Sequence, residues 1–228
     1  MIKGRASANP EEICARILRI GPPQGRLGHQ RVVLDDGVTL RLRSEDIAGL
    51  ALQAGTDLDA VALQQLRGRA ERTLAEELAH RLLSIRLRSH KELADRLRRR
   101  GVSAEIVAAL TADLERHGLL DDARFAQAWV RTRLALSPSG PRRLRYELAQ
   151  KGVAREVINR ALGETLSDRD EGALAHDVAR ARLRRYRGLP RQVIYRRLAG
   201  LLERRGFATG VIIRTLHDLL GSPPQARD

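Results

Sequence analysis

The sequence of 228 residues contains a single cysteine, Cys14, and aromatic residues make up only 3% of it. One cysteine excludes both an internal disulfide and a zinc site built on several cysteines, and it suits a reducing compartment. So few aromatic side chains argue against a platform on which the bases of a single strand stack. No apolar run approaches the roughly 18–20 residues that span a bilayer, and no signal peptide precedes the first charged residues. We therefore expect a cytoplasmic protein.

Positive charge, by contrast, is abundant and is concentrated in the later part of the chain. The sequence has 42 Lys and Arg against 28 Asp and Glu, a formal net charge of +14, and 39 of the basic residues are arginine. Residues 1–68 carry 9 basic and 8 acidic residues, whereas residues 69–228 carry 33 and 20. Arginine binds phosphate and carboxylate groups through paired hydrogen bonds. An anionic partner is therefore expected to meet the second part.

The hydropathy pattern changes from mixed to helical near residue 68. A strand-like run covers residues 13–20, and two alternating segments, 30–34 and 38–42, flank Asp35-Asp36-Gly37, which is typical of a hairpin. Short helices are predicted over 44–52 and 59–66. From residue 69 onward, leucines recur only at helical spacing. We therefore predict a mainly α protein with a small β-rich N-terminal module at 1–68.

The helical part repeats one pattern three times. Two leucines four residues apart, a basic residue, a glycine and an apolar residue occupy 93–102, 144–153 and 198–207. The glycine supplies the left-handed position after a helix, and the basic residue favours the negative end of the helix dipole. Preceding helices are predicted at about 72–86, 122–136 and 171–187. The pattern predicts three-helix repeats at 69–120, 121–166 and 167–221 and a flexible tail at 222–228, in an elongated curved array that is monomeric by default.

Three segments of the helical part form a specific set of motifs. The most specific is Gly118-Leu119-Leu120-Asp121-Asp122-x-Arg124-Phe125-Ala126-x-x-Trp129-Val130-Arg131-x-Arg133. It is accompanied by Leu82-Leu83-x-x-Arg86-x-Arg88-Ser89-x-x-Glu92-Leu93 and by Gly140-Pro141-Arg142-Arg143-Leu144-x-x-Glu147-Leu148-x-x-Lys151-Gly152. In this order and spacing the segments resemble the RecX family, the regulatory proteins of the RecA recombinase, and Arg204-Arg205-Gly206-Phe207 is similar to the family's third repeat. The first helix of the third repeat departs from the family pattern, because it is rich in arginine and poor in large apolar residues.

The resemblance implies a non-enzymatic regulator without a cofactor. RecX-like proteins bind the RecA–DNA filament, suppress its ATPase, strand-exchange and co-protease activities, and promote its disassembly or block its extension. Some of them also bind DNA alone, so the implied partners are the RecA filament and single-stranded or double-stranded DNA. The implied processes are DNA repair, homologous recombination and the SOS response.

Two other functions remain open on the residues alone. The charge and the short helix–glycine–helix turns also suit a general DNA-binding protein, including one of the helix-turn-helix type. Asp121 and Asp122 could serve a nuclease metal, although an N-cap with an acidic first turn is the simpler interpretation. No phosphate-binding loop occurs, so this chain is not expected to hydrolyse ATP, and no two histidines have the i, i+4 spacing of a helical metal pair.

The candidate residues fall into two groups. Phe125 and Trp129 lie four apart on one helical face, where packing in the core is favoured over base stacking. The arginine clusters could contact DNA phosphate or an acidic groove of the filament. The structural group is Gly101, Asp121, Asp122, Phe125, Trp129, Gly140, Gly152, Gly206 and Phe207. The contact group is Arg96, Arg99, Arg100, Arg131, Arg133, Arg142, Arg143, Arg145, Lys151, Arg184, Arg185, Arg196, Arg197, Arg204 and Arg205.

Overall fold

The computed structural model describes residues 13–25, 28–167 and 170–221. The chain divides into two compact units. The first comprises the described residues of Met1–Arg86 together with Ala94–Arg116, and the second comprises Leu87–Leu93 and the described residues of His117–Asp228. Helices dominate both the elements and the chain length, so the predicted mainly α class with a small β module is confirmed. The tail predicted at 222–228 lies outside the described residues.

The N-terminal sheet has the antiparallel order β3-β2-β1-β4, with strands β1 (Ile13–Ile20), β2 (His29–Leu34), β3 (Thr39–Arg43) and β4 (Asp57–Asp59). The predicted hairpin joins β2 to β3, and Gly37 takes the left-handed conformation in its turn. The three-residue strand β4 was not predicted. Alternation along β1 buries Ala15 and Ile17, so Cys14 is exposed on the other face. The strand pattern around Cys14 favours a buried, apolar role over that of a nucleophile, and this prediction of burial is wrong.

Helices α1 (Ser44–Gly49) and α2 (Ala60–Ile85) complete the N-terminal part. Asp59 caps α2, because its carboxylate accepts a hydrogen bond of 2.7 Å from the Ala62 N–H. The prediction of two helices with a break near residue 68 is wrong, because α2 is one helix of 26 residues. Leu66 packs into the core under the sheet, and Thr73, two turns later on the same helix face, is buried past Gly68.

The remaining helices form the predicted repeats. Two follow α2 in the first repeat, namely α3 (His90–Arg98) and α4 (Ala104–Arg116). The second repeat consists of α5 (Asp122–Leu136), α6 (Pro141–Gln150) and α7 (Arg155–Leu166). The third consists of α8 (Glu171–Leu183), α9 (Arg191–Arg204) and α10 (Thr209–Leu220). The predicted helix 171–187 ends at Leu183 and continues as a single 3-10 turn, Arg184–Tyr186.

The repeated leucines and glycines have the predicted roles. Leu93 and Leu97 of α3, and their counterparts in α6 and α9, are completely buried. The glycine after each helix is left-handed, with φ of +84° at Gly101, +78° at Gly152 and +81° at Gly206. Helix α8 docks against α9 and α10 through the fully buried Ala175 and Ala179, and its partly buried Leu174 and Leu183 pack against the same core.

Candidate anion-binding surface

The basic residues of the first repeat lie at the end of α3. Arg96, Arg99 and Arg100 are exposed there, and the Arg99 guanidinium donates a hydrogen bond of 3.1 Å to the Asp95 carbonyl. Cations in the last turn of a helix interact favourably with its negative dipole end. These three side chains therefore stabilise the helix end as well as offering positive charge to solvent.

The second unit contains a tight joint between the start of α3 and the end of α6. The Ser89 hydroxyl caps α3 by accepting from the Glu92 N–H at 3.1 Å, and it donates to the Lys151 carbonyl at 2.6 Å. The Glu92 carboxylate lies 2.5 Å from the Lys151 ammonium, and both side chains are largely buried. Lys151, proposed from the sequence as a contact residue, is thus held in this first joint.

Phe125 and Trp129 pack beneath the same joint. Their ring centroids are 6.0 Å apart, and the Lys151 ammonium lies 4.2 Å from the centroid of the Trp129 ring. A cation over an indole face is attracted by the ring quadrupole. The aromatic pair therefore belongs to the packed interior, as favoured from the sequence, and Lys151 is bound to it on a second side.

The two adjacent aspartates have separate structural contacts. The Asp121 carboxylate caps α5 by accepting from the N–H groups of Ala123 and Arg124 at 2.8 and 3.0 Å. The Asp122 carboxylate accepts from the His90 N–H at 2.9 Å and so connects α5 to the start of α3. Within the described ranges, no group of three His, Cys, Asp or Glu side chains could hold a metal ion.

Glu147 is the acidic centre of the second repeat. Its carboxylate accepts hydrogen bonds from Arg133 at 2.7 Å, from Arg143 at 2.9 Å and from the Trp129 indole at 3.2 Å. Burial alone would raise the pKa of Glu147, but the hydrogen bond from Arg143, attraction to Arg133 and the other two donors together lower it. Two predicted contact residues, Arg133 and Arg143, are therefore neutralised in part by this single carboxylate.

A second joint connects the start of α6 to the end of α9. The Gly140 N–H donates to the Arg205 carbonyl at 2.8 Å, and the Arg142 N–H donates to the Gly206 carbonyl at 3.2 Å. A Cβ atom on Gly206 would overlap the backbone nitrogen of Arg143. The Arg143 guanidinium donates to the Arg204 carbonyl at 3.0 Å. The predicted structural roles of Gly140 and Gly206 therefore lie in this close backbone approach.

Arg205 lies inside the second joint and is half-buried. Its guanidinium donates a hydrogen bond of 2.7 Å to the Pro138 carbonyl. Burial is the main cause that lowers the pKa of Arg205, and the positive charges of Arg143 and Arg182 lower it further. Arg205 therefore keeps a solvent-restricted positive charge close to two others.

Most remaining candidates are exposed on the second unit, and their charge is not balanced locally. Residues 121–166 hold nine basic and five acidic residues, and residues 170–221 hold eleven and five. In residues 170–221 the basic residues therefore outnumber the acidic ones by six. The exposed candidates are Arg131, Arg142, Arg143, Arg145, Arg184, Arg185, Arg196, Arg197 and Arg204.

Two residues that the sequence analysis did not select complete this surface. Tyr186 lies between Arg182 and Arg197, whose guanidinium carbons are 5.8 and 5.7 Å from its ring centroid. The spacing of Arg182 and Arg185, three apart at the end of one helix, was the available signal. A separate cleft of 490 Å³ at the second joint is lined by Arg142, Arg143 and Arg204 together with two glutamates.

The first unit has its own cleft, but the charges there are paired. Arg43 contacts Glu76, Arg69 contacts Asp46, and Arg72 lies 3.0 Å from Asp113. The cleft of 840 Å³ that these arginines line therefore has little net charge to attract an anion. The larger excess of positive charge lies in the second and third repeats.

The fold defines a protein of tandem three-helix domains with an arginine-rich surface on the later ones. Residues 75–114 match the family described as RecX, first three-helix domain, and residues 121–162 match RecX, second three-helix domain. The regulatory protein RecX of Thermobifida fusca (strain YX) is 38% identical over 146 residues, which cover 64% of this chain and 78% of that protein. The chain belongs to the RecX family of regulatory proteins.

Other relatives and solved structures agree with this assignment. The regulatory protein RecX of Mycolicibacterium smegmatis is 39% identical over 153 residues, 65% of this chain and 80% of that protein. A crystal structure of regulatory protein RecX has a TM-score of 0.67 at 25% identity and covers 90% of this chain and 99% of its own. RecX from Lactobacillus salivarius, at 21% identity and a TM-score of 0.56, covers 65% of this chain and 96% of its own, and it shares the fold. Among the described helices, none is long and apolar enough to cross a membrane.

Proposed function

We propose that this protein is a non-enzymatic regulator that binds the RecA–DNA filament and inhibits its ATPase, strand-exchange and co-protease activities. The observation that carries the proposal is the unbalanced arginine charge of the second and third repeats in a chain of the RecX family. A field of one sign steers association with a polyanion and adds affinity that depends on salt.

The distribution of the arginines supports a polymeric partner over a small one. They lie on α5, α6, the turn after α8, and α9, and they are not gathered into one enclosed cavity. Arginine reads phosphate and carboxylate groups equally well, and a nucleoprotein filament offers both. The protein would act by occupying the anionic surface of the filament, so the ATPase activity that it inhibits is that of RecA.

The test is DNA-dependent ATP hydrolysis by RecA from the same cell, titrated with this protein while single-stranded DNA is in fixed excess. Inhibition at amounts well below those of RecA supports filament regulation. Inhibition that disappears as more naked DNA is added would instead favour the alternative function, a general DNA-binding protein that acts by occupying the strand. The net charge of +14 is the observation that supports this alternative.

Two double charge-reversal variants test whether the effect depends on the arginine surface or on the total charge of the protein. Arg142 and Arg145 are exposed on α6, whereas Arg143 is tied to Glu147, so R142E/R145E removes charge without breaking that contact. The matched control is R19E/R31E, which makes the same change of charge on the exposed sheet surface. We expect R142E/R145E to need about tenfold more protein for equal inhibition, while the control changes it less than about threefold. Equal effects of the two pairs would contradict a localised surface.

A further inference from the structure

Aligning the third repeat with the second shows which side chains differ between them. Asp121 and Asp170 each cap the first helix by accepting from the N–H two residues later, at 2.8 Å in both repeats. From this cap the first helices align with a spacing of 49 residues, and the second helices align with a spacing of 54. The aligned identical residues are Ala126 and Ala175, Arg131 and Arg180, Arg133 and Arg182, Leu134 and Leu183, Leu144 and Leu198, and Gly152 and Gly206.

In the second repeat a cluster of five side chains is filled and nearly neutral. The Trp129 ring occupies the space between the two cations, with the Arg133 guanidinium 4.8 Å and the Lys151 ammonium 4.2 Å from its centroid. Glu147 neutralises Arg133, and Glu92 of the preceding repeat neutralises Lys151. Each of these two positive charges therefore lies against a carboxylate, and Glu147 also contacts Arg143.

In the third repeat the cations are kept and the rest of the cluster is lost. Arg182 and Arg205 stand at the positions of Arg133 and Lys151. The other positions change as a set, since Val178 replaces Trp129, Leu201 replaces Glu147, and Arg143 replaces Glu92. Lys151 thus has the carboxylate of Glu92 from the preceding repeat, whereas Arg205 has an arginine, Arg143, at the corresponding position. The positive charges of Arg143 and Arg182 both act on Arg205, so the repulsion is present in the folded protein.

A notch of 340 Å³ is lined in part by Val178, the residue at the position of Trp129. Arg182, Arg185 and Arg205 line it, and the acidic residue that the described chain contributes to its lining is Asp177, so the charge is positive on balance. Its remaining lining is apolar: Pro138, Val178, Ala181 and Leu201. Two of its guanidinium groups are held in place, because Arg205 donates to the Pro138 carbonyl at 2.7 Å and Arg182 donates to the Tyr186 hydroxyl at 3.3 Å.

We infer that this notch between α8 and α9 binds a phosphate group of a nucleic-acid strand, with the attached sugar or base over its apolar floor. Guanidinium groups form paired, charge-assisted hydrogen bonds with phosphate. The bound anion takes the place of the two missing carboxylates and relieves the repulsion around Arg205. A carboxylate side chain would also satisfy the arginines, but its one or two methylene groups cover less of the apolar floor than a sugar or a base does, which favours a nucleotide unit. The inference rests on the proposed function only in that the strand would be the DNA of the filament.

The first test compares two charge reversals on α8 in the free, full-length protein. Arg182→Glu changes the notch, and Arg180→Glu makes the same change of charge at an exposed position that does not line it. The measurement is the affinity for a fluorescent oligothymidylate as a function of salt. We expect R182E to bind about tenfold more weakly, with a plot of log affinity against log salt shallower by about one, and R180E to lose less than about threefold. Equal losses would overturn the inference.

A second variant keeps the inference testable if R182E does not fold. Leu201→Glu restores a carboxylate at the position of Glu147, and Gln192→Glu adds the same charge to an exposed position on the same helix. We expect L201E to weaken oligothymidylate binding more than Q192E while its melting temperature in low salt does not fall, because the new carboxylate neutralises the arginines. Unchanged binding by L201E would show that the notch is not the site.

Competitors identify the chemical class of the ligand. We expect tripolyphosphate to displace oligothymidylate from the wild type, and a peptide nucleic acid of the same bases, which lacks phosphates, to fail. Polyglutamate that displaces the strand as effectively as tripolyphosphate would overturn the phosphate assignment and assign the notch to acidic protein surfaces. These measurements contain no RecA, so a failure here leaves the filament proposal standing, and a failure of RecA inhibition leaves the result for the notch intact.

Discussion

Glu92 and Lys151 lie 59 residues apart in the sequence, and 2.5 Å separates the carboxylate oxygen of one from the ammonium nitrogen of the other. The pair joins the start of α3 to the end of α6. Ser89 and Gly152 complete the joint from the same two elements, because the Ser89 hydroxyl bonds to the Lys151 carbonyl and a Cβ on Gly152 would collide with the Lys91 side chain. Neighbouring repeats are therefore connected by specific polar contacts as well as by apolar packing.

Removing the lysine of this joint should destabilise the protein. Lys151→Met removes the ammonium group that lies against the largely buried Glu92 carboxylate, so the free energy of unfolding should fall by about 1–3 kcal/mol. The comparison is Arg98→Met, which breaks an exposed ion pair with Asp95 and should change stability by less than about 0.5 kcal/mol. Urea unfolding measures both. If K151M is as stable as R98M and instead loses affinity for the filament, Lys151 is a contact residue.

The glycines of the repeats should differ in how well they tolerate alanine. Gly101 and Gly206 are both left-handed, which costs an alanine about 1–2 kcal/mol. A Cβ at Gly101 meets no heavy atom within 4 Å, whereas one at Gly206 would overlap Arg143 backbone. Thermal unfolding should therefore show a larger loss for G206A than for G101A. Equal losses would mean that the second joint opens to admit a methyl group at no cost.

Glu147 should make stability depend on acid pH. Because its contacts lower its pKa below the ordinary 4.5, the folded state favours the charged carboxylate, and the gain is complete only above that value. The gain is lost as the pH falls through the lowered pKa. Glu147→Gln should reduce the free energy of unfolding at neutral pH by about 1–3 kcal/mol, and the difference from wild type should shrink below pH 4.5. A difference that is constant from pH 7 to pH 3 would contradict the assignment.

Replacing Asp122 should affect folding and not DNA integrity. Its carboxylate accepts from the His90 N–H, so Asp122→Asn keeps a weaker acceptor at the same place, and a loss of about 0.5–1.5 kcal/mol is expected. Incubation of wild type and D122N with supercoiled DNA and Mg²⁺ distinguishes the nuclease interpretation. Metal-dependent cleavage by the wild type that disappears in D122N would revive it.

The sequence predicted the features that depend on local periodicity. Leucines at i and i+4 with a glycine beyond the helix predict α3, α6 and α9, because helix faces and left-handed caps are encoded within a few residues. The continuity of α2 was missed, since Gly68 resembles a break until Leu66 and Thr73 are seen on one buried stripe. The three-residue strand β4 has no periodicity of its own and forms only by pairing with β1.

Much of the candidate surface could not be assigned from spacing. Lys151 and Arg142 have the same sequence signature of a basic residue near a helix end, yet one is held beneath a neighbouring repeat and the other is exposed. The difference arises from Glu92, a distant residue. The role of Arg182 likewise emerges only when the caps at Asp121 and Asp170 fix the alignment of the two repeats.

The most direct test of the account is whether this protein prefers the RecA filament to the DNA inside it. One labelled single strand is presented bare and as a RecA filament held by a non-hydrolysable ATP analogue, and binding of this protein to each is measured at the same salt. The account predicts tighter binding to the filament, reduced by R142E/R145E and not by R19E/R31E. Equal or tighter binding to the bare strand would contradict it and make general DNA binding the function.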